Sequence, residues 1–458
     1  MGGKSLKSFN RIQLFRRLFT SSRILLVGFL LLILTGALLF RLPLMSTGEP
    51  LSFVDALFTA TSAVCVTGLS VLDPGTELTF FGQLLLMLLI QFGGLGFMTL
   101  STLLMVALGQ RIGLRDRLTL QSSLGQDALQ GVVGLTLRIV LVTLATEGLG
   151  ALLLVTRMVP RHGLLKGIWH AIFHSVSAFC NAGFDLEGGF INVQNDPVVL
   201  LAIMALITIG GLGFHVLFDI RRSGGRWRRL EFHSKLVLVT SASLTFGGAL
   251  LFGLLEWENP GTLAAEGLHP LMRPMGALFQ SVTCRTAGFA TIDQAAMTPP
   301  ALMLTLLLMF IGASPASTGG GIKTTTFSVF LLMVLQVLQG KPRIEVYKRS
   351  ISQELVNRAT VLLILAFVLI VLSQMVLTLF LPEEIGSSFV LYEVVSAFGT
   401  VGLTIGVTEQ MGDVAKVWMS AVMYIGRVGL LTLAVGLSRR AKKGESRLSY
   451  PQGRLMIG

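Results

Sequence analysis

The chain has 458 residues, of which 52% are hydrophobic and only 13% charged, and its mean hydropathy is +0.76. This excludes a water-soluble globular protein, which needs far more charge to cover its surface. The net charge of +12 is no nucleic-acid signal either, because it gathers in the links between apolar runs, where it reads as the basic bias of cytoplasmic loops and as attraction to anionic lipid.

Residues 1–23 form a basic tail carrying Lys4, Lys7, Arg11, Arg16, Arg17 and Arg23. The first apolar run leaves through Phe40-Arg41-Leu42-Pro43 with no small-residue cleavage pattern, so it is expected to remain as a span and not to be removed as a signal peptide. Eight runs are apolar and long enough to cross a bilayer: 24–40, 80–108, 132–155, 197–218, 235–255, 300–338, 360–381 and 416–437. Between the members of each pair lies a shorter apolar stretch, such as 51–65 or 167–180, which suits a re-entrant segment better than a span. The chain therefore divides into four units of span, re-entrant helix and span, at 24–110, 111–222, 223–345 and 346–437, followed by a tail at 438–458.

The links hold Arg221, Arg222, Arg226, Arg228 and Arg229, then Lys341, Arg343, Lys348 and Arg349, and the tail adds Arg439, Arg440, Lys442, Lys443, Arg447 and Arg454. The opposite loops carry Glu49, Asp73, Glu77, Asp185, Glu187, Glu256, Glu258, Glu383 and Glu384, with Arg157, Arg161 and Lys166 as exceptions. Basic residues accumulate on the cytoplasmic side. The expectation is a multi-pass protein of the cytoplasmic membrane with both termini in the cytoplasm.

Each re-entrant segment ends in a similar turn: Val66-Thr67-Gly68, Asn181-Ala182-Gly183, Thr286-Ala287-Gly288 and Thr400-Val401-Gly402. A cation entering a narrow pore exchanges water for other oxygens, and backbone carbonyls supply these without fixed charge. Glycine lets the backbone reach the dihedrals that turn carbonyls toward an axis, and a helix ending just before the turn aims its partial negative end at the ion. One such turn is weak evidence. Four, each between spans of a repeated unit, point to a cation pore with these twelve residues as its ion-binding filter.

The second spans repeat as well, with Gly93, Gly210, Gly312 and Gly426 in corresponding places, as expected of small residues that let helices approach. The sixth run is interrupted by Gly312, Ala313, Ser314, Pro315, Ala316, Ser317, Thr318, Gly319, Gly320 and Gly321. Such a segment in lipid would leave backbone groups unsatisfied, so it must face protein or water under the filter. Arg427, deep in the last run, is expected to donate to carbonyls of this loop, with Lys323 acting likewise or sitting at the cytoplasmic mouth. Arg285 is expected to brace its helix from behind.

Cys65, Cys180 and Cys284 make no disulfide framework and read as packing residues. His170 and His174 have i, i+4 spacing but no third ligand in sequence, so they read as a polar face at the outer interface and no metal site is expected beyond transported ions.

On these turns, on Thr283-Cys284-Arg285-Thr286-Ala287-Gly288-Phe289, and on the broken sixth run ending Ser317-Thr318-Gly319-Gly320-Gly321-Ile322-Lys323, the chain resembles the Trk/Ktr/HKT superfamily of potassium transporters along nearly its whole length. The likeness is greatest to the membrane subunit of bacterial Ktr systems. The resemblance implies an all-α membrane fold of eight spans and four re-entrant pore helices, a pseudo-fourfold pore within one chain, a homodimer, and a cytosolic ring of nucleotide-binding regulatory subunits. It implies potassium as the ion, since a serine at the first filter position goes with sodium preference in the family and this chain has Gly68 there. It makes the sixth-span loop, with Lys323 and Arg427, an intramembrane gate. No cofactor is expected in the chain itself, nucleotide being bound by the partner, and sodium coupling is left open. The competing readings are a sodium-permeable or Trk-type relative, a secondary transporter with a broken helix, and a membrane-embedded enzyme, for which no acid, base and nucleophile cluster is visible.

Overall fold

The computed structural model describes residues 21–96, 132–382 and 384–430. The 97–108 part of the second run, the stretch 109–131 and the C-terminal basic tail lie outside the described residues. The described chain is mainly helical, and its one sheet is a two-stranded antiparallel hairpin, β1 (Glu345–Val346) with β2 (Arg349–Ser350), in the basic link after the sixth run.

The first unit contains α1 (Ser21–Phe40), α2 (Phe53–Cys65) and α3 (Phe80–Leu95). The second contains α4 (Val132–His162), α5 (Leu164–Cys180), α6 (Pro197–Leu212) and α7 (Phe214–Ser223). The third contains α8 (Phe232–Glu256), α9 (Arg273–Thr283), α10 (Pro299–Phe310) and α11 (Thr324–Leu338), and the fourth α12 (Gln353–Thr378), α13 (Ser387–Gly399) and α14 (Asp413–Val428).

Local chemistry sets the helix starts. Ser52 caps α2 by accepting from the Asp55 amide, Thr79 caps α3 by accepting from the Gly82 amide, and Asp196 accepts from Val198 and Val199 ahead of Pro197 at the first turn of α6. The Asp55 side chain is itself held by Lys416 of α14, at 2.6 Å. Partial burial would raise its pKa, but hydrogen bonds from Lys416 and Ser52 outweigh that and hold the carboxyl below its ordinary value.

The outer helices are long and apolar all round. The most apolar windows of α4, α8 and α12 are only 33%, 28% and 22% buried, so most of each faces outward. Leu141, Leu152, Phe246, Leu254, Phe367 and Met375 are among the exposed large side chains. Such a belt is untenable in water and expected in lipid. The short helices α2, α5, α9 and α13 are buried instead along their C-terminal halves.

The packing order closes on itself. Besides contacting the helix before it in its own unit, α2 packs on α14, α5 on α3, α9 on α6, and α13 on α10. Each short helix thus leans on the first α-helix after the glycine turn of the preceding unit, and the first unit's short helix leans on that of the fourth.

The fourth apolar run, expected as one span, is instead bent by 94° between α6 and α7 at Gly213. Gly213 has φ +90° and ψ 138°, which ends the helical ladder, and the distant Ala316 O accepts from the Phe214 amide at 3.0 Å. Glycines of similar dihedrals end α3 at Gly96 (φ +80°) and α14 at Gly429 (φ +88°). The exceptions to the charge pattern are also explained in part: Arg157 and Arg161 lie 3.7 and 3.1 Å from Asp196.

Candidate functional site

Three of the short helices end on a residue in the left-handed region, Val66, Asn181 and Thr400, whose amide bonds back to the last turn of its helix. In the third unit α9 ends earlier, and Thr286 takes the left-handed conformation (φ +62°). Two residues on stand Gly68, Gly183, Gly288 and Gly402, at φ +96°, +69°, +80° and +93°. Valine and threonine pay about 1–2 kcal/mol for this region, and a strained position persists only where its surroundings over-determine it. All four left-handed residues are fully buried.

These turns meet. A Cβ on Gly68 would stand 2.4 Å from Ala182 O, on Gly183 2.7 Å from Ala287 O, on Gly288 2.4 Å from Val401 O, and on Gly402 2.1 Å from Thr67 O. Each glycine therefore faces the carbonyl of the middle residue in the next turn, and the fourth faces the first. The result is a closed ring of backbone oxygens and left-handed glycines, with Thr67, Ala182, Ala287 and Val401 completely buried. Only glycine fits, since a side chain at any of the four would strike backbone.

Hydroxyls earlier in the helices latch the ring. Ser62 Oγ accepts from the Gly68 amide and Ser396 Oγ from the Gly402 amide, each at 3.1 Å. Ser177 Oγ donates to Phe184 O and Thr283 Oγ1 to Phe289 O, each at 2.7 Å. The sequence alone assigns these hydroxyls no such role. Ser396→Ala would leave a buried amide without its acceptor, a cost of about 1–3 kcal/mol. It is expected to lower rubidium uptake several-fold and to lower the thermal midpoint of the purified protein. Unchanged values of both would show that the Gly402 amide needs no latch.

The second-span glycines sit behind the ring. A Cβ on Gly93, Gly210 or Gly426 would lie 2.0, 1.9 or 2.1 Å from Val64 O, Phe179 O or Phe398 O, so their absence of side chain lets each inner helix press on the end of a short helix. Arg285 points away from the ring, donating to Ser241 O at 3.0 Å and Thr245 Oγ1 at 2.9 Å on α8. It braces its turn from behind. The three cysteines are buried and unpaired with one another.

The loop 312–321 lies against the first residues of the turns. Ile311 and Ile322 pair as a parallel bridge at its neck, and the Ala313 amide donates to Gly320 O at 3.3 Å. A Cβ on Gly319 would lie 2.2 Å from Thr286 Oγ1 and one on Gly320 2.2 Å from Thr400 Oγ1. The loop is therefore threaded directly beneath two of the four turns. Two of its amides bond to α6: Ser314 donates to Gly211 O at 3.1 Å and Thr318 to Gly210 O at 3.2 Å. Thr318 Oγ1 also donates to Phe179 O at 3.0 Å, and Ser317 Oγ to Ser314 O at 2.6 Å. Pro315 O faces Gly213, and Ala316 is left-handed at φ +54°. Much of the non-helical backbone at this depth is thus packed against protein and not lipid, as such a position requires.

Two cations hold the loop. Arg427 donates to Thr318 O and to Gly93 O, with a further contact to Gly94 O at 3.3 Å. Lys323 Nζ donates to Gly319 O at 2.8 Å and to Gly320 O at 3.4 Å. Every residue the sequence singled out for the loop is thereby brought to one place. Three buried carboxylates were missed: Glu393 on α13, which accepts from Thr408 Oγ1 at 2.8 Å and the Ile405 amide at 3.1 Å, Glu147 on α4, which accepts from Gln91 at 3.2 Å, and Asp219 on α7, which accepts from the Glu231 amide at 2.9 Å. Glu393 fastens the segment beyond Gly402. A single acidic residue in an apolar helix carried no spacing signal that could have revealed it.

The chain is similar to known cation transport proteins. Residues 34–447 match the family described as TrkH, cation transport protein. The chain is 41% identical to the Ktr system potassium uptake protein B of Bacillus subtilis (strain 168), over 96% of this chain and 97% of that protein. It is 40% identical to the potassium/sodium uptake protein NtpJ of Enterococcus hirae, over 97% and 98%. Its fold is similar to the crystal structure of the potassium transporter TrkH from Vibrio parahaemolyticus, with a TM-score of 0.72 at 20% identity, covering 92% of this chain and 86% of that one. These relatives are cation transporters and not enzymes. The chain belongs to the TrkH family of membrane cation transport proteins.

Proposed function

We propose that this chain is the ion-conducting subunit of a Ktr-type potassium uptake system in the cytoplasmic membrane. The observation that carries the reading is the ring in which Gly68, Gly183, Gly288 and Gly402 each face a carbonyl of the next turn. Carbonyl rings replace the hydration shell of a cation without fixed charge. The four units form a pseudo-fourfold pore of eight spans and four re-entrant helices, α2, α5, α9 and α13, with both termini in the cytoplasm. The loop 312–321 is the gate, and Arg427 and Lys323 hold it across the path while adding positive charge that repels a cation in transit.

Relatives named as parts of a Ktr system support an assembly with a separate regulatory subunit. We assign that role to a cytosolic nucleotide-binding ring docking on the basic links, with two copies of this chain in the membrane. A second reading, a pore that also passes sodium, is favoured by the relative named for potassium and sodium uptake and by the unequal turns, with Thr67, Ala182, Ala287 and Val401 at corresponding positions.

Tracer uptake separates the readings. Liposomes holding the purified protein and loaded with potassium are expected to accumulate external rubidium, and external potassium to suppress this far more than sodium. Equal suppression by both ions establishes the sodium-permeable reading. Absence of uptake, including after removal of the loop, would rule out the pore.

A further inference from the structure

The sequence pairs His170 with His174, one turn apart, but the tertiary structure gives His170 different company. His162, the last residue of α4, and Glu187, four residues beyond Gly183, converge on it. His170 Nδ1 lies 2.7 Å and His162 Nε2 3.0 Å from Glu187 Oε1, and the two imidazole rings stand 4.5 Å apart. His174 turns the other way: its Nε2 accepts from the Leu186 amide at 3.1 Å and so pins the chain just before Glu187. Asp185 adds to this by accepting from the Glu187 and Gly189 amides at 2.9 and 3.0 Å.

We propose that His162, His170 and Glu187 form a binding site for a divalent transition metal, best suited to zinc, on the outer rim of the second turn. One donor atom from each of the three lies within 4.8 Å of the others. Neutral imidazoles and a carboxylate bind zinc at ~2.0–2.2 Å in tetrahedral geometry, so the trio needs only a small outward adjustment to surround an ion. Two nitrogens and one oxygen suit zinc, cobalt or nickel and are a poor set for calcium or magnesium, which take oxygen ligands. His170 and Glu187 are nearly buried, while His162 keeps 23% of its side chain exposed, so the ion has an entry path and a fourth position for water. The metal would tie the end of α4 and the middle of α5 to the segment leaving the second turn. It would also place two positive charges beside the outer approach to the ring.

Binding is independent of the pore reading, and the flux effect rests on it. The test titrates the full chain in lipid nanodiscs with zinc by calorimetry and with cobalt by visible absorption. Expected are one tight zinc site per chain, intense tetrahedral cobalt bands, and affinity weakened at least ~10-fold in His162→Gln and Glu187→Gln. The double variant His215→Gln/His233→Gln, which removes a separate histidine pair with ring centroids 5.4 Å apart, should bind as the native chain does. Absence of tight binding or of tetrahedral bands in the native chain overturns the site, as does binding that survives both ligand variants or vanishes in the double variant. In liposomes, micromolar external zinc should reduce rubidium uptake roughly twofold or more in the native chain and not in His162→Gln. Tight zinc binding with uptake unchanged upholds the site and overturns its coupling to the pore. Zinc binding by a chain that carries no rubidium at all counts against the pore reading alone.

Discussion

Replacing Gly402 with serine is expected to abolish most of the preference for potassium over sodium and to lower rubidium uptake by roughly an order of magnitude. The reason is steric and local. Gly402 holds φ +93°, and any Cβ there lies 2.1 Å from Thr67 O and 3.0 Å from the Gly68 Cα. Both are backbone atoms of the first turn, so no side-chain rotation relieves the contact. The ring must open between the fourth and first turns, and the carbonyl that moves is one of those we assign to the ion. The same substitution at Gly183 meets its nearest atom at 2.7 Å and sits at φ +69°, close to the ordinary left-handed region. Gly183→Ser should therefore disturb selectivity less than Gly402→Ser. Competition of rubidium uptake by sodium and potassium measures both. Wild-type selectivity in the two variants would mean that these glycines serve packing and leave ion choice to other groups.

Removing residues 312–321 is expected to raise the initial rate of rubidium uptake by roughly 10- to 100-fold, the gain available when an open state is otherwise populated at ~1–10%. The deletion is geometrically mild. Ile311 and Ile322 already pair side by side, so the chain can be rejoined across the neck without pulling α10 and α11 apart. What is lost is the segment beneath Thr286 and Thr400. Arg427→Gln should act in the same direction with a smaller effect. Thr318 O and the α3 carbonyls would lose their guanidinium donor, at about 1–3 kcal/mol for each buried group left unpaired. Uptake that falls in the deletion, in protein shown to be folded by its elution profile and thermal midpoint, would make the loop a structural support and remove it as a gate.

Much of this was legible before any coordinates. The four glycines announce themselves because the backbone dihedrals they permit are a property of the residue type, and repetition at 68, 183, 288 and 402 multiplies a weak local signal. The apolar runs gave the helical class, since lipid leaves a chain few ways to satisfy its backbone. The position of the loop followed from the same argument, because Pro315 and the glycines around it cannot be lipid-exposed. Arg427 was readable as a partner of that loop, a charge at such depth having to find carbonyls or another charge.

Other features depend on contacts between residues far apart in the chain. The bend at Gly213 was hidden in an apolar run that reads as one helix, and it exists because Ala316, about a hundred residues later, offers its carbonyl to Phe214. Glu393 looked like an isolated acid until Thr404, Ile405 and Thr408 folded back upon it. His170 had a neighbour at helical spacing, yet the turn after α4 and the loop after Gly183 brought it His162 and Glu187 instead. The sequence by itself determined the medium, the repeated unit and the places where helix must stop, because hydropathy and glycine act through the residue and its near neighbours. Which turn faces which, which carbonyls the loop and its two cations meet, and which side chains cluster around His170 were decided only by the tertiary structure, since these rest on pairings between distant segments that no local pattern records.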